Sequence, residues 1–182
     1  MKAAVIFLSS CLLIPRAAAE AQSKGVVIKE ESKLIYYLSH PLHEVEATSK
    51  DVVYRLDVDP ANRLIKSVSA SVDVTTFDSG NSNRDSHAME VIDALTYPEA
   101  TFASASISQS GDSVKVTGKL TFHGITKEIV IPAALKWSPN RLDVHGDFDI
   151  SLTAFQIERP SLLMIPVSDR LQFTVVAAYR WE

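Results

Sequence analysis

Val114-Lys115-Val116-Thr117-Gly118-Lys119-Leu120-Thr121-Phe122-His123-Gly124 decides how the rest of the chain is read. Apolar or small residues stand at 114, 116, 118, 120 and 122, and polar ones at 115, 117, 119, 121 and 123. Side chains of an extended strand alternate between two faces, so a period of two defines a strand with one dry face and one wet one. Gly124 closes it in a turn. The same period recurs outward from there. Val144, Gly146, Phe148, Ile150 and Leu152 alternate with Asp143, His145, Asp147, Asp149 and Ser151. Val68, Ala70, Val72 and Val74 alternate with Ser67, Ser69, Ser71, Asp73 and Thr75. Leu171, Phe173, Val175, Ala177, Tyr179 and Trp181 carry a looser version at the C-terminal end.

Further strands are expected at about 34–46, 51–58, 101–108 and 127–137. Asp59-Pro60-Ala61-Asn62, Gly111-Asp112 and Ser138-Pro139-Asn140 supply turn chemistry between them. Some eight strands joined mainly by short turns fit an antiparallel meander closed into a barrel, or a sandwich. One stretch departs from the period of two. Ala88, Val91, Ile92 and Leu95 are spaced as on a helix, which predicts a short helix over 85–95, capped by Asp85 or Ser86 and stopped before Pro98. It is expected to fold over one end of the barrel.

The chain has 182 residues, 46% hydrophobic and 22% charged, which suits one folded domain and excludes a disordered or collagen-like chain. Lys and Arg number 18 against 22 Asp and Glu, so nucleic acid is a poor partner. Residues 1–19 read as a signal peptide: Lys2, an apolar run from Ala3 to Ile14, then small residues at Ala17 and Ala19 before the cleavage point. Residues 20–182 form the domain. Leu8-Ser9-Ser10-Cys11 resembles a lipoprotein acylation signal, but the apolar run continues past Cys11, which favours ordinary cleavage. Cys11 is the only cysteine, so the cleaved chain has neither disulfides nor thiolate chemistry. A soluble periplasmic or secreted protein is expected.

Two motifs and a looser third carry a family resemblance. Asp78-Ser79-Gly80-Asn81-Ser82-Asn83-Arg84-Asp85-Ser86-His87, leading to Tyr97-Pro98-Glu99-Ala100-Thr101-Phe102, is one. Val116 to Lys127, with Gly118, Leu120-Thr121 and His123-Gly124, is the second, and Phe155 to Arg159 with Val167 to Leu171 the third. Together, over about residues 50–182, they resemble the YceI family of lipocalin-like, polyisoprenoid-binding proteins. The resemblance implies an eight-stranded antiparallel β-barrel with an apolar lumen and one short helix, exported to the periplasm. It implies a guest with an isoprenoid tail, such as an isoprenoid quinone or a polyprenyl lipid, no other cofactor, and no catalytic residues. A protein partner in the inner membrane is compatible with it, and no oligomeric state follows.

On this reading the lumen wall is Val116, Gly118, Leu120, Phe122, Ile131, Phe148, Phe173, Val175 and Ala177. Phe122, Phe148 and Phe173 bring bulk, while Gly118, Gly146, Ala70, Ala133 and Ala177 leave room. Whether an eight-stranded barrel fills or stays hollow depends on that balance, and the alternation alone fits a solid core equally. Arg84, Asp85 and His87 are candidate headgroup contacts at the mouth. The alternative for them is structural, with Asp85 as a helix cap and Arg84 bonded to loop carbonyls. Tyr36, Tyr37 and Trp137 either line an opening or pack. His123 reads as a hydrogen-bonded turn residue. Asp143, Asp147 and Asp149 read as a solvated face rather than a calcium loop, and the histidines lack metal-ligand spacing. The sequence has no GxSxG elbow, P-loop or dinucleotide glycine fingerprint, so a binding protein is expected rather than an enzyme. The competing reading is a secreted interaction module with a filled core and no small-molecule ligand.

Overall fold

The computed structural model describes residues 25–162 and 164–182, so the leader at 1–19 and Cys11 lie outside the described residues. The described residues form twelve strands and one α-helix. They are β1 (Val26–Val27), β2 (Lys33–His40), β3 (His43–Ser49), β4 (Val53–Asp59), β5 (Leu64–Asp73), α1 (Ser82–Val91), β6 (Glu99–Ser110), β7 (Ser113–Phe122), β8 (Ile125–Ser138), β9 (Arg141–Ser151), β10 (Ser161–Leu162), β11 (Ile165–Pro166) and β12 (Arg170–Arg180). One antiparallel sheet runs in the order β3-β2-β12-β9-β8-β7-β6-β5-β4, with β1 also paired to β12. Its right-handed twist curls it into a half-barrel of the lipocalin type. The all-β, antiparallel, single-helix fold is as expected.

The path of the main sheet has nine strands where eight are expected, the other three being two-residue strands, and proline is the reason for the ninth. The stretch expected as a single strand over 34–46 is a tight hairpin, in which His40 pairs with His43 around Pro41 and Leu42. Pro41 has no amide hydrogen to give a ladder and its φ is fixed, so the chain turns there. The edge strands β3 and β4 share no ladder among the described residues. Instead Thr48 of β3 pairs through its backbone with Asp78, and the Tyr54 hydroxyl of β4 donates to the Lys33 carbonyl oxygen of β2 at 3.0 Å.

The helix also starts earlier than its apolar spacing suggests, at Ser82. Its cap is Asn81, whose side-chain oxygen accepts from the amides of Asn83 and Arg84, and not Asp85 or Ser86. Asp93 takes a left-handed φ of 47° just past the last turn and stops the helix before Leu95. Leu95 is 99% exposed rather than packed.

The sheet's inner face holds a main core and a smaller buried cluster of Val52, Tyr54, Val72 and Ala177. Val58, Leu135, Leu142 and Tyr179 are buried towards the end formed by the turns at 60–63, 111–112 and 139–140, with Trp137 against Trp181 beyond them. The opposite end carries the β2–β3 hairpin, α1, the His123-Gly124 turn and the segment 152–169, whose Phe155 and Ile157 are buried.

Candidate functional site

A cavity of about 640 Å³ runs along the barrel interior from Ile65 and Val114, near the turns, to α1 at the other end. That lies within the range of about 300–1,000 Å³ typical of small-molecule sites, and is some four times the ~150 Å³ apolar void that stays dry and admits benzene. Its wall is the inward face of every long strand: Leu34, Tyr36 and Leu38 from β2, Tyr54 and Leu56 from β4, Val68, Ala70 and Val72 from β5, Phe102 from β6, then Val116, Leu120 and Phe122 from β7. Ile131 and Ala133 of β8, Val144, Gly146 and Phe148 of β9, and Phe173, Val175 and Ala177 of β12 complete it. The strict alternation of β7 and β9 places these groups inward, because a one-residue slip would turn every one of them to solvent.

Eight of the nine residues assigned to the lumen from sequence line this cavity, and Gly118 does not. Gly118 is buried beneath the Phe102 ring: a Cβ there would stand 2.5 Å from Phe102 Cζ and closer still to the Ala103 carbonyl oxygen. Glycine is needed at 118 for the close approach of neighbouring atoms, so it leaves no room for a guest. Gly146 does line the cavity, beside Ala133 and Ile131. Phe148 and Phe173 stack across the β9–β12 pair with ring centroids 5.1 Å apart, giving the wall a stiff aromatic strip.

The cavity is blocked at one end by Leu135, Leu142 and Tyr179 and opens at the other under α1. Arg84, Asp85 and His87 all stand at this mouth, as does Met89. Arg84 and Asp85 are first committed to the loop before the helix. The Arg84 guanidinium donates from Nε to Ser79 Oγ at 2.8 Å and from Nη2 to the Ser79 carbonyl oxygen at 2.6 Å. The Asp85 carboxylate accepts from the Ser79 amide at 3.2 Å and from the Ser79 hydroxyl. Ser79 thus relays between a cation and an anion and pins the helix over the opening. His87 is exposed, 3.6 Å from Glu90.

Two inward residues of β2 were not singled out by alternation alone. Tyr36 packs against Phe77 and Phe173 at centroid distances of 5.2 and 6.5 Å, and its hydroxyl has no hydrogen-bond partner among the described residues. Burial pushes its phenol pKa up, the Asp85 charge adds to that, and Arg84 opposes it. His40 has both ring nitrogens engaged: Nδ1 accepts from the Leu42 amide at 3.2 Å, which leaves Nε2 to donate to the Ile165 carbonyl oxygen at 3.0 Å. That pattern fits the neutral imidazole. It clips the β2–β3 hairpin to the β10–β11 hairpin at the rim. The signal for both was present, since Leu34, Tyr36, Leu38 and His40 alternate, but the hairpin at Pro41 obscured it.

The remaining polar candidates are structural. His123 sits at a left-handed φ of 49°, packs on Tyr97, and shares a hydrogen bond of 2.9 Å between Nδ1 and the Phe155 carbonyl oxygen. Asp143 pairs with Arg141, Asp149 with Arg170, and Asp147 accepts from Thr174. Each aspartate therefore serves its own partner on the outer face. Trp137 packs against Trp181 and does not line the opening.

An antiparallel half-barrel with a deep apolar cavity, closed below and shuttered by a short helix above, defines a lipocalin-like binding fold. Residues 26–179 match the YceI-like domain, and the chain belongs to that family. It is 29% identical over 119 residues to Protein YceI of Escherichia coli O17:K52:H18, an alignment covering 61% of this chain and 62% of that protein. The match thus spans less than two thirds of that relative's length. The fold superposes on the crystal structure of Burkholderia cenocepacia BcnA with a TM-score of 0.76, at 26% identity over 84% of this chain and 99% of that one. A polyisoprenoid binding domain from Saccharophagus degradans, implicated in plant cell wall breakdown, shares the fold with a TM-score of 0.66 and 14% identity, over 88% of this chain and 99% of that one.

Proposed function

We propose that this protein is a periplasmic lipid-binding protein that holds the isoprenoid tail of an amphiphile, a polyprenyl lipid or an isoprenoid quinone, inside the barrel. The observation that carries this reading is the cavity of about 640 Å³ walled by Val116, Leu120, Phe122, Ile131, Phe148, Phe173, Val175 and Ala177. Moving apolar surface out of water into such a cavity is favourable, each CH₂ transferred contributing about 0.8 kcal/mol. Branched, unsaturated isoprene units suit a wall of aliphatic groups interrupted by flat rings. The description of the Saccharophagus degradans domain as polyisoprenoid-binding supports the same choice of tail.

The task fits a carrier or store. A molecule that water rejects crosses an aqueous compartment only inside a shell, and the leader at 1–19 supports placing that compartment outside the cytoplasmic membrane. The chemistry proposed is binding, with Arg84 and Asp85 at the mouth engaged in holding α1. Transport, storage and protection under stress all use this step, and delivery to a protein of the inner membrane is the natural next one. A filled interaction module is disfavoured by the hollow.

The test is uptake. Delipidated protein incubated with an isoprenoid quinone is expected to retain about one molecule per chain after gel filtration. Folded protein that retains none overturns the reading.

A further inference from the structure

The lipid-binding reading leaves the guest's head unspecified, and the mouth restricts it. Among the cavity's lining residues, Arg84 is the single Lys or Arg and Asp85 the single Asp or Glu, so their charges cancel. Arg84 spends its Nε and one Nη on Ser79, which in turn bonds to Asp85. Of the first-turn amides of α1, those of Asn83 and Arg84 are already bonded to the Asn81 side chain. His40 has both nitrogens occupied. A diphosphate entering this mouth would bring several negative charges to a site whose one arginine is offset by Asp85.

The Tyr36 hydroxyl is different. It lines the same cavity as Arg84 and Asp85, from β2, with no partner among the described residues. Its donor is unspent on the protein, so a guest oxygen inside the cavity can accept from it. Resting on the lipid-binding reading, we infer that Tyr36 donates a hydrogen bond to an uncharged oxygen of the guest, and that the site selects isoprenoids with a neutral carbonyl or hydroxyl head over isoprenoid diphosphates. Tyr36 then sets the depth at which the head stops, while the chain fills the cavity below.

The experiment compares three probes that share an isoprenoid chain and differ at the head: farnesene, farnesol and farnesyl diphosphate. Each competes with a fluorescent apolar probe for the delipidated full chain. Wild type is expected to bind farnesol about five-fold more tightly than farnesene, the size of one net hydrogen bond, and at least about ten-fold more tightly than the diphosphate. Tyr36→Phe is expected to collapse the preference for farnesol over farnesene to none. Tightest binding of the diphosphate overturns the neutral-head assignment. An unchanged preference in the variant overturns the role of Tyr36. Failure of all three probes to bind overturns the lipid-binding reading itself.

Discussion

The Phe102 ring rests on the bare backbone of Gly118, one strand away, with Cζ 2.5 Å from where a Cβ at 118 would stand. Phe102 is buried and faces the cavity, so this contact fixes part of the wall from behind. A glycine in a strand supports a neighbouring aromatic in this way at the cost of its own packing.

Replacement of Gly118 by Phe is therefore expected to destabilise the barrel rather than fill its lumen. The new side chain meets the Phe102 ring and the Ala103 carbonyl, and overpacking of that kind costs about 1–3 kcal/mol. Val175 behaves oppositely. It lines the cavity between Leu34 and Gly146 and keeps part of its surface open to it. Val175→Phe is expected to reduce lipid uptake with a smaller loss of stability. Denaturant midpoints and retained lipid per chain, measured on both variants, separate the two effects.

The contrast also marks what alternation in a sequence can and cannot carry. The strands, their inward faces and eight of the nine wall residues follow from a period of two, because the pleat enforces it. Gly118 obeys the same period, yet whether a small residue leaves a hole depends on its diagonal neighbour, and Phe102 lies on another strand. The hairpin at Pro41 shifts the alternation from even positions, Leu34 to His40, to odd ones, His43 and Val45, and a single strand over 34–46 overlooks that change of phase. The cap at Asn81 lies outside the apolar repeat that revealed the helix. The resemblance to the YceI family located the mouth motif, while the relay through Ser79 needed coordinates.

Ser79 should govern how firmly the helix covers the opening. Ser79→Ala removes the hydroxyl that joins Arg84 to Asp85, and Asn81→Ala removes a cap worth about 1 kcal/mol. Amide hydrogen exchange across Ser82–Val91 is expected to quicken in both variants while β7 and β9 keep their protection. Loss of protection throughout the sheet would mean that α1 is integral to the core and not a cover.

Asp169 makes the fold sensitive to acid. The Ser151 hydroxyl donates to its carboxylate at 2.6 Å and the Thr153 amide at 2.9 Å, and these bonds hold its pKa below the usual carboxylate range. A carboxylate whose pKa is lowered by folding stabilises the native state above its unfolded pKa of about 3.9, and that contribution disappears as the pH falls through the folded value. Asp169→Asn is expected to lower stability at pH 7 and to lose that deficit in strong acid. Urea titrations of the two proteins at both pH values read the difference. An equal deficit at both would show that the carboxylate's charge is irrelevant.

The seam between β4 and β2 is held by a single side-chain bond among the described residues, from Tyr54 to Lys33. Tyr54 is buried, and that burial pushes its phenol pKa far up, so it remains a donor at any ordinary pH. Tyr54→Phe leaves the Lys33 carbonyl without this donor and is expected to cost about 1–2 kcal/mol in thermal or urea unfolding.

Mass spectrometry of an organic extract from freshly purified protein reads the hollow most directly. An isoprenoid lipid recovered at close to one per chain, and displaced in Val175→Phe, is the expected result. Repeated extraction of folded protein that yields no lipid, together with no uptake of added quinone, would contradict the account.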